Sequence, residues 1–344
     1  MKIAKIISAL TSAAMLAVFF ASCAQNAPGT DTGTKSGVPE ATSEQKVQTT
    51  AAGTEEPGDK IMYEEPKAGV EKQDVVYKKV GDIELLMTIY QPITKKYEKA
   101  PVYYLVTGGG WNSCDRIGMI SAVSAVVKYL RQNGYAVTSI DYRILGGGAE
   151  TMADIISDCM DGVRYLIKFA DVLKIDVTKI VPCGHSAGGH LALMTALGDQ
   201  SLFVNDSPFG YEGFEYRTAA CVSLSGLTVC YSVNGKILTA VSHLPKLFGN
   251  SKTNQATHDA SPLDCIKADM CPVLICTGTD DPAVYPENTY MFRDKAAEVG
   301  ADVTTVISEH AGHSYEPMNG ADSVSVTFSQ VQKKVTEFIT EKVK

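Results

Sequence analysis

The stretch Val181-Pro182-Cys183-Gly184-His185-Ser186-Ala187-Gly188-Gly189-His190 carries an apolar run into Gly-x-Ser-x-Gly and then into residues that suit a helix. In a strand-turn-helix context this is a nucleophile elbow, in which Ser186 sits on a sharp turn with its hydroxyl projected above the sheet. Gly184 and Gly188 are required there because side chains would collide across the turn. A serine hydroxyl is a weak nucleophile at neutral pH, so it needs a histidine base, and that base needs an acid to fix its tautomer and balance its charge. In chains built around this elbow the order is serine, then acid, then histidine. Downstream, Thr277-Gly278-Thr279-Asp280-Asp281-Pro282 follows an apolar run and offers two adjacent carboxylates. Farther on, Glu309-His310-Ala311-Gly312-His313-Ser314 offers two histidines. From the residues alone, each pair stays open.

Other reactive side chains near these motifs read as structural. His185 and His190 belong to the elbow and its helix and suit packing. Trp111, the single tryptophan, suits either a pocket wall or a cover for the sheet. Cys114 would need a base of its own to act as a nucleophile. Asp158 and Arg164 fall on one helical segment and suit a structural pairing.

The elements that must hold these motifs alternate. Val75–Val80 and Glu84–Gln91 flank Gly81-Asp82, a hairpin signal. Continuous apolar runs at Val102–Val106, Tyr135–Ile140, Lys179–Cys183 and Pro272–Cys276 have the character of buried parallel strands, and Val303–Ile307 adds a further strand. Between them Ser121–Gln132, Asp154–Phe169, His190–Leu197 and Asn288–Val299 have helical spacing, so the expected architecture is α/β, a mostly parallel sheet with helices on both faces. The interval 199–259 breaks the rhythm and is expected to form a lid-like insertion or side wall. No GxxxxGK[ST] or GxGxxG phosphate loop is present.

With these motifs in place, the chain from Asp74 onward resembles the α/β-hydrolase esterases, in particular the group of hormone-sensitive lipase and of bacterial feruloyl and acetyl-xylan esterases. The resemblance rests on Gly108-Gly109-Gly110-Trp111, Asp141-Tyr142-Arg143, Gly184-His185-Ser186-Ala187-Gly188-Gly189-His190, Ala260-Ser261-Pro262, Gly278-Thr279-Asp280-Asp281-Pro282 and Ala311-Gly312-His313. It implies the α/β-hydrolase fold, Asp281 as the acid and His313 as the base. It also implies oxyanion donors at Gly109, Gly110 and Ala187. Thr107 stands where the family usually has histidine, a residue that shapes the loop, so the change bears on loop geometry and leaves the backbone donors in place.

The activity so implied is a serine carboxylesterase acting on short acyl esters, with acetyl or feruloyl groups on carbohydrate as the expected substrates and no metal or organic cofactor. Polar residues among Phe209, Tyr211, Phe214 and Tyr216 would suit a sugar face. The same triad serves prolyl-oligopeptidase-like peptidases and arylformamidase-like amidases, although the chain has no room for a β-propeller. From a different class, a non-catalytic binding lipoprotein would be expected to lack a triad member.

Composition limits the remaining partners. The 344 residues are 45% hydrophobic and 20% charged with a net charge of -8, which suits a globular protein with a full core and gives no broad basic field for nucleic acid. Nine cysteines are spread without a CxxC pair or a Cys/His cluster, so no zinc site is implied. At the N-terminus, Lys2 and Lys5 precede an apolar stretch that ends in Phe20-Ala21-Ser22-Cys23. This reads as a lipoprotein signal peptide over residues 1–22 with Cys23 as the lipidated residue. Residues 23–69 read as a lipidated, polar tether and 70–344 as the catalytic domain. The expected setting is an exported protein anchored by lipid to the cell envelope.

Overall fold

The computed structural model describes residues 62–343. The signal segment 1–22, Cys23 and the tether as far as residue 61 lie outside the described residues. β1 (Lys72–Val80) and β2 (Ile83–Tyr90) form the expected antiparallel hairpin, with Val80 opposite Ile83 across Gly81-Asp82. Then come β3 (Ala100–Val106), α1 (Arg116–Ala122), α2 (Ser124–Gln132), β4 (Ala136–Ile140), and the two-residue strands β5 (Ile144–Leu145) and β6 (Gly148–Ala149). α3 (Met152–Lys168), the single turn α4 (Ala170–Leu173), β7 (Ile175–His185), α5 (Ala187–Leu197) and β8 (Cys221–Leu224) follow. The chain closes with α6 (Gln255–Asp259), β9 (Val273–Gly278), α7 (Glu287–Val299), β10 (Val303–Ser308) and α8 (Phe328–Lys342).

Eight strands make one sheet in the order β1-β2-β4-β3-β7-β8-β9-β10, antiparallel at β1, β2 and β4 and parallel from β4 to β10. The two-residue period of a strand divides the core. Val102, Tyr104 and Val106 of β3 pack in one cluster with Ile155, Cys159 and Val163 of α3. Tyr103 and Leu105 pack in another with Val127 and Leu130 of α2 and Val335 and Phe338 of α8. Both faces are therefore covered, which is why the central strands are continuously apolar. α3 begins at a capping box in which Thr151 and Asp154 exchange hydrogen bonds.

Two sequence expectations are corrected. The interval 199–259 is not one insertion, because Cys221–Leu224 inside it is a core strand between β7 and β9. Four residues, one of them Ser223, give too short and too mixed a run for periodicity to register. The tether does not extend to residue 69: Glu64 and Lys79 bond to the backbone of Val76 and Met62, and Tyr63 stacks on Phe209 with ring centroids 5.2 Å apart. An aromatic residue in a polar stretch found apolar surface to cover.

Candidate active site

In a parallel sheet the loops after the strands' C-terminal ends converge at one edge, and here they bring the sequence candidates together. Ser186 follows β7 with φ 59° and ψ -125°, a conformation forced on a non-glycine residue by its surroundings. Its amide donates to the Leu224 carbonyl at 2.8 Å, so β8 braces the elbow. The need for the two glycines is explicit. A Cβ at Gly184 would lie 2.1 Å from the Gly188 carbonyl oxygen, and one at Gly188 would lie 2.2 Å from the Val106 carbonyl oxygen.

The acid and base loops brace each other. A Cβ on Gly278 would lie 2.2 Å from the Ala311 oxygen, and the Asp280 amide donates to that same oxygen at 3.0 Å. Asp281, 3% exposed, receives the Ala283 and Val284 amides on Oδ1 at 2.8 and 3.0 Å. Its Oδ2 receives His313 Nδ1–H at 2.7 Å. That bond fixes the tautomer and leaves Nε2 as the nitrogen for proton transfer. The neighbouring candidates are placed differently: His310 is 64% exposed and its Nδ1 is 3.9 Å from Asp280.

His185 ties the base to the elbow. Its Nε2 donates to the His313 carbonyl at 2.9 Å, and the two rings lie 4.7 Å apart. Burial, and next the nearby His313, lower its pKa from 6.5 to about 3, so it is neutral beside the base. Sequence reasoning treated His185 as packing and missed this role; its position between the elbow glycine and Ser186 was the available signal.

The Gly108–Trp111 loop lies against the elbow, since a Cβ on Gly108 would be 3.3 Å from Ser186 Cβ. The amides of Gly109 and Gly110 donate to no acceptor among the described residues. The Ala187 amide opens α5, where the first-turn N–H groups have no intrahelical partner. These three amides are the oxyanion donors that the family resemblance implied. Trp111 is 1% exposed and anchors the loop: its Nε1 donates to His190 Nδ1 at 3.3 Å, while His190 Nε2 donates to the Ala260 carbonyl at 2.8 Å. Burial lowers the His190 pKa from 6.5 to about 4. For Cys114, burial and then the Asp141 carboxylate push the thiol above its usual range, which disfavours a thiolate nucleophile.

Residues 199–217 are fastened to other parts of the fold. Among the described residues their hydrogen bonds run chiefly to α3, β1 and Arg143, and none to the loops of Ser186, Asp281 or His313. Phe209 stacks on Tyr63 and meets Phe214, and the Tyr216 hydroxyl donates to the Thr195 carbonyl. Of the four rings expected to suit a sugar face, Phe209, Phe214 and Tyr216 make contacts within the fold and Tyr211 is exposed. Asp158 and Arg164 are structural but not partners of each other. Asp158 pairs with Lys78 and Arg143, and Arg164 with Asp161.

A model of the family described as BD-FAE matches residues 87–296. Among curated proteins, the probable carboxylic ester hydrolase LipM of Mycobacterium tuberculosis is 25% identical over 66% of this chain and 52% of its own length. The non-reducing polyketide synthase atr1 of Stereocaulon alpinum is 30% identical over 35% of this chain and 5% of its own length. The chain therefore spans about half or less of these relatives. Among solved structures, the apo form of Thermogutta terrifontis esterase 2 is similar with a TM-score of 0.63 at 25% identity, over 80% of this chain and 96% of that one.

Proposed function

The chain belongs to the BD-FAE family, and we propose that within it this protein is a serine carboxylesterase that forms and hydrolyses an acyl-enzyme on Ser186. One observation carries the reading: a buried Asp281–His313 pair whose histidine backbone is bonded to His185, the residue next to Ser186. His313 Nε2 takes the Ser186 hydroxyl proton as Oγ attacks the ester carbonyl, and Asp281 stabilises the imidazolium that forms. The carbonyl oxygen, now negative, is received by the amides of Gly109, Gly110 and Ala187. As the C–O bond breaks, Nε2 returns the proton to the leaving alcohol. Water then gives a proton to Nε2 as it attacks the acyl-enzyme, and when the acyl–Oγ bond breaks Nε2 returns that proton to Ser186 Oγ and the acid is released.

The substrates proposed are short acyl esters, with acetyl or feruloyl groups on carbohydrate as the favoured class. This part of the reading is supported by the resemblance to feruloyl and acetyl-xylan esterases. We also propose lipid anchoring at Cys23 on the outer face of the envelope; an unmodified mature N-terminus elsewhere, found by mass spectrometry, would reject it. For the activity, kcat/KM is compared across acetyl, longer acyl and feruloyl esters and a peptide substrate, with Ser186→Ala as control. Preference for acetyl or feruloyl esters and loss of turnover in the variant are expected. Preference for the peptide, or intact turnover in Ser186→Ala, would refute the proposal.

A further inference from the structure

We propose that His243 is a positioning residue for the oxyanion donors, an inference that rests on the esterase reading above. In a trans peptide the C=O and the following N–H point in opposite directions, so whatever holds a carbonyl aims the next amide. Along the Thr107–Trp111 loop every carbonyl is held. The Tyr142 hydroxyl donates to Thr107 O at 2.9 Å and reaches Gly108 O at 3.4 Å. The amides of Asn112 and Ser113 donate to Gly109 O at 3.2 and 3.1 Å, and the Leu145 amide donates to Trp111 O at 2.8 Å.

The Gly110 carbonyl, at the tip, is held from elsewhere: His243 Nε2–H donates to it at 2.5 Å. A Cβ on Gly110 would sit 3.6 Å from His243 Cε1, so the ring packs directly against this residue. Gly109 and Gly110 have φ of 121° and 59°, and without side chains they lack any steric restraint of their own. The His243 bond fixes the peptide between Gly110 and Trp111, while the Asn112 and Ser113 amides fix the one between Gly109 and Gly110; with its ring against Gly110, His243 thus pins the far side of the residue that carries the Gly110 amide and keeps the loop tip from swinging.

His243 itself is well anchored. Just upstream, Ala240 N and Thr239 Oγ1 donate to the Ala283 carbonyl at 2.9 and 2.7 Å, two residues from Asp281. Just downstream, Leu244, Leu247 and Phe248 are buried. The 238–248 segment thus runs from the acid loop to the oxyanion loop, and His243 is the point at which it grips the second.

The test compares wild type, His243→Ala and His243→Gln, the glutamine amide keeping a donor at similar reach. With p-nitrophenyl acetate, His243→Ala should lower kcat roughly tenfold to hundredfold, less than the outright loss of an oxyanion donor, with KM little changed. His243→Gln should recover most of that loss. Hydrogen–deuterium exchange of the 107–113 peptide should rise in the alanine variant and return in the glutamine variant. Equal behaviour of the two variants, or a change in KM with exchange unaltered, would overturn the proposal. If exchange responds as expected while wild type hydrolyses no ester, the positioning claim is supported and the esterase reading alone falls.

Discussion

On one side of β8, residues 199–217 are fastened to buried charge: Lys78 lies 2.7 Å from Asp158 and 2.8 Å from Asp161, with all three side chains fully buried. Its Nζ also donates to the Asn205 carbonyl at 2.9 Å, while Arg143 joins Asp158 to Asp206. On the other side, residues 225–259 reach the acid loop and the oxyanion loop through neutral hydrogen bonds of Thr239, Ala240 and backbone groups, together with the imidazole of His243. The difference has a physical logic. Buried ion pairs are costly to leave half-made, so they lock one arrangement of strand, helix and strap. Beside the site, a formal charge other than that of Asp281 would act over several ångströms on the imidazolium that the proposed mechanism forms at His313, and hydroxyl and backbone groups avoid this. The depressed pKa of His185 fits the same pattern: beyond Asp281, the residue that bonds to the His313 backbone carries no charge.

The contrast predicts two separable kinds of damage. Asp281→Asn should leave the fold intact and lower kcat by about 10⁴, because the wrong tautomer of His313 is then favoured. Steady-state kinetics with thermal melting check both halves. Lys78→Met should do the reverse, costing about 3–5 kcal/mol of stability by leaving buried carboxylates short of a partner, with kcat per folded molecule unchanged. A urea titration combined with active-site titration reads this, and a kcat loss without destabilisation would erase the contrast.

Acid should expose a smaller effect. The His190 pKa falls from 6.5 in an unstructured chain to about 4 in the folded protein. Between those values the unfolded chain binds a proton that the native state refuses. The His190 contribution to stability is therefore full above about pH 6.5, declines as pH falls, and levels off below about 4, a difference on the order of 3 kcal/mol. His190→Gln should remove this part of the pH dependence of the urea midpoint across that window, leaving the part that His185 contributes. The smallest effects belong to Asp280→Asn and His310→Ala, whose long, partly exposed pairing should be worth less than about 1 kcal/mol and whose loss should leave kcat within about threefold.

Much of this was legible in the residues. Long apolar runs bounded by turns located β3, β4, β7 and β9, because strands buried on both faces need no polar side. The elbow was legible because two glycines and a serine meet a steric demand that few other residues can. Three features were not. β8 is too short to show a period. The helical spacing of Ser121–Gln132 conceals a break, since Val123 separates α1 from α2. His243 is remote from every motif, and its bond to Gly110 spans 133 positions, so no local pattern could mark it. The choice of Asp281 over Asp280 came from resemblance; in the structure it is Asp281 that is buried and bonded to His313.

The most direct test of the central claim is to expose the folded protein to a fluorophosphonate and map the adduct by peptide mass spectrometry. The account predicts one phosphonyl group on the peptide containing Ser186, formed slowly in Asp281→Asn and absent in Ser186→Ala. An adduct on any other residue, or undiminished labelling of Ser186→Ala, would contradict it.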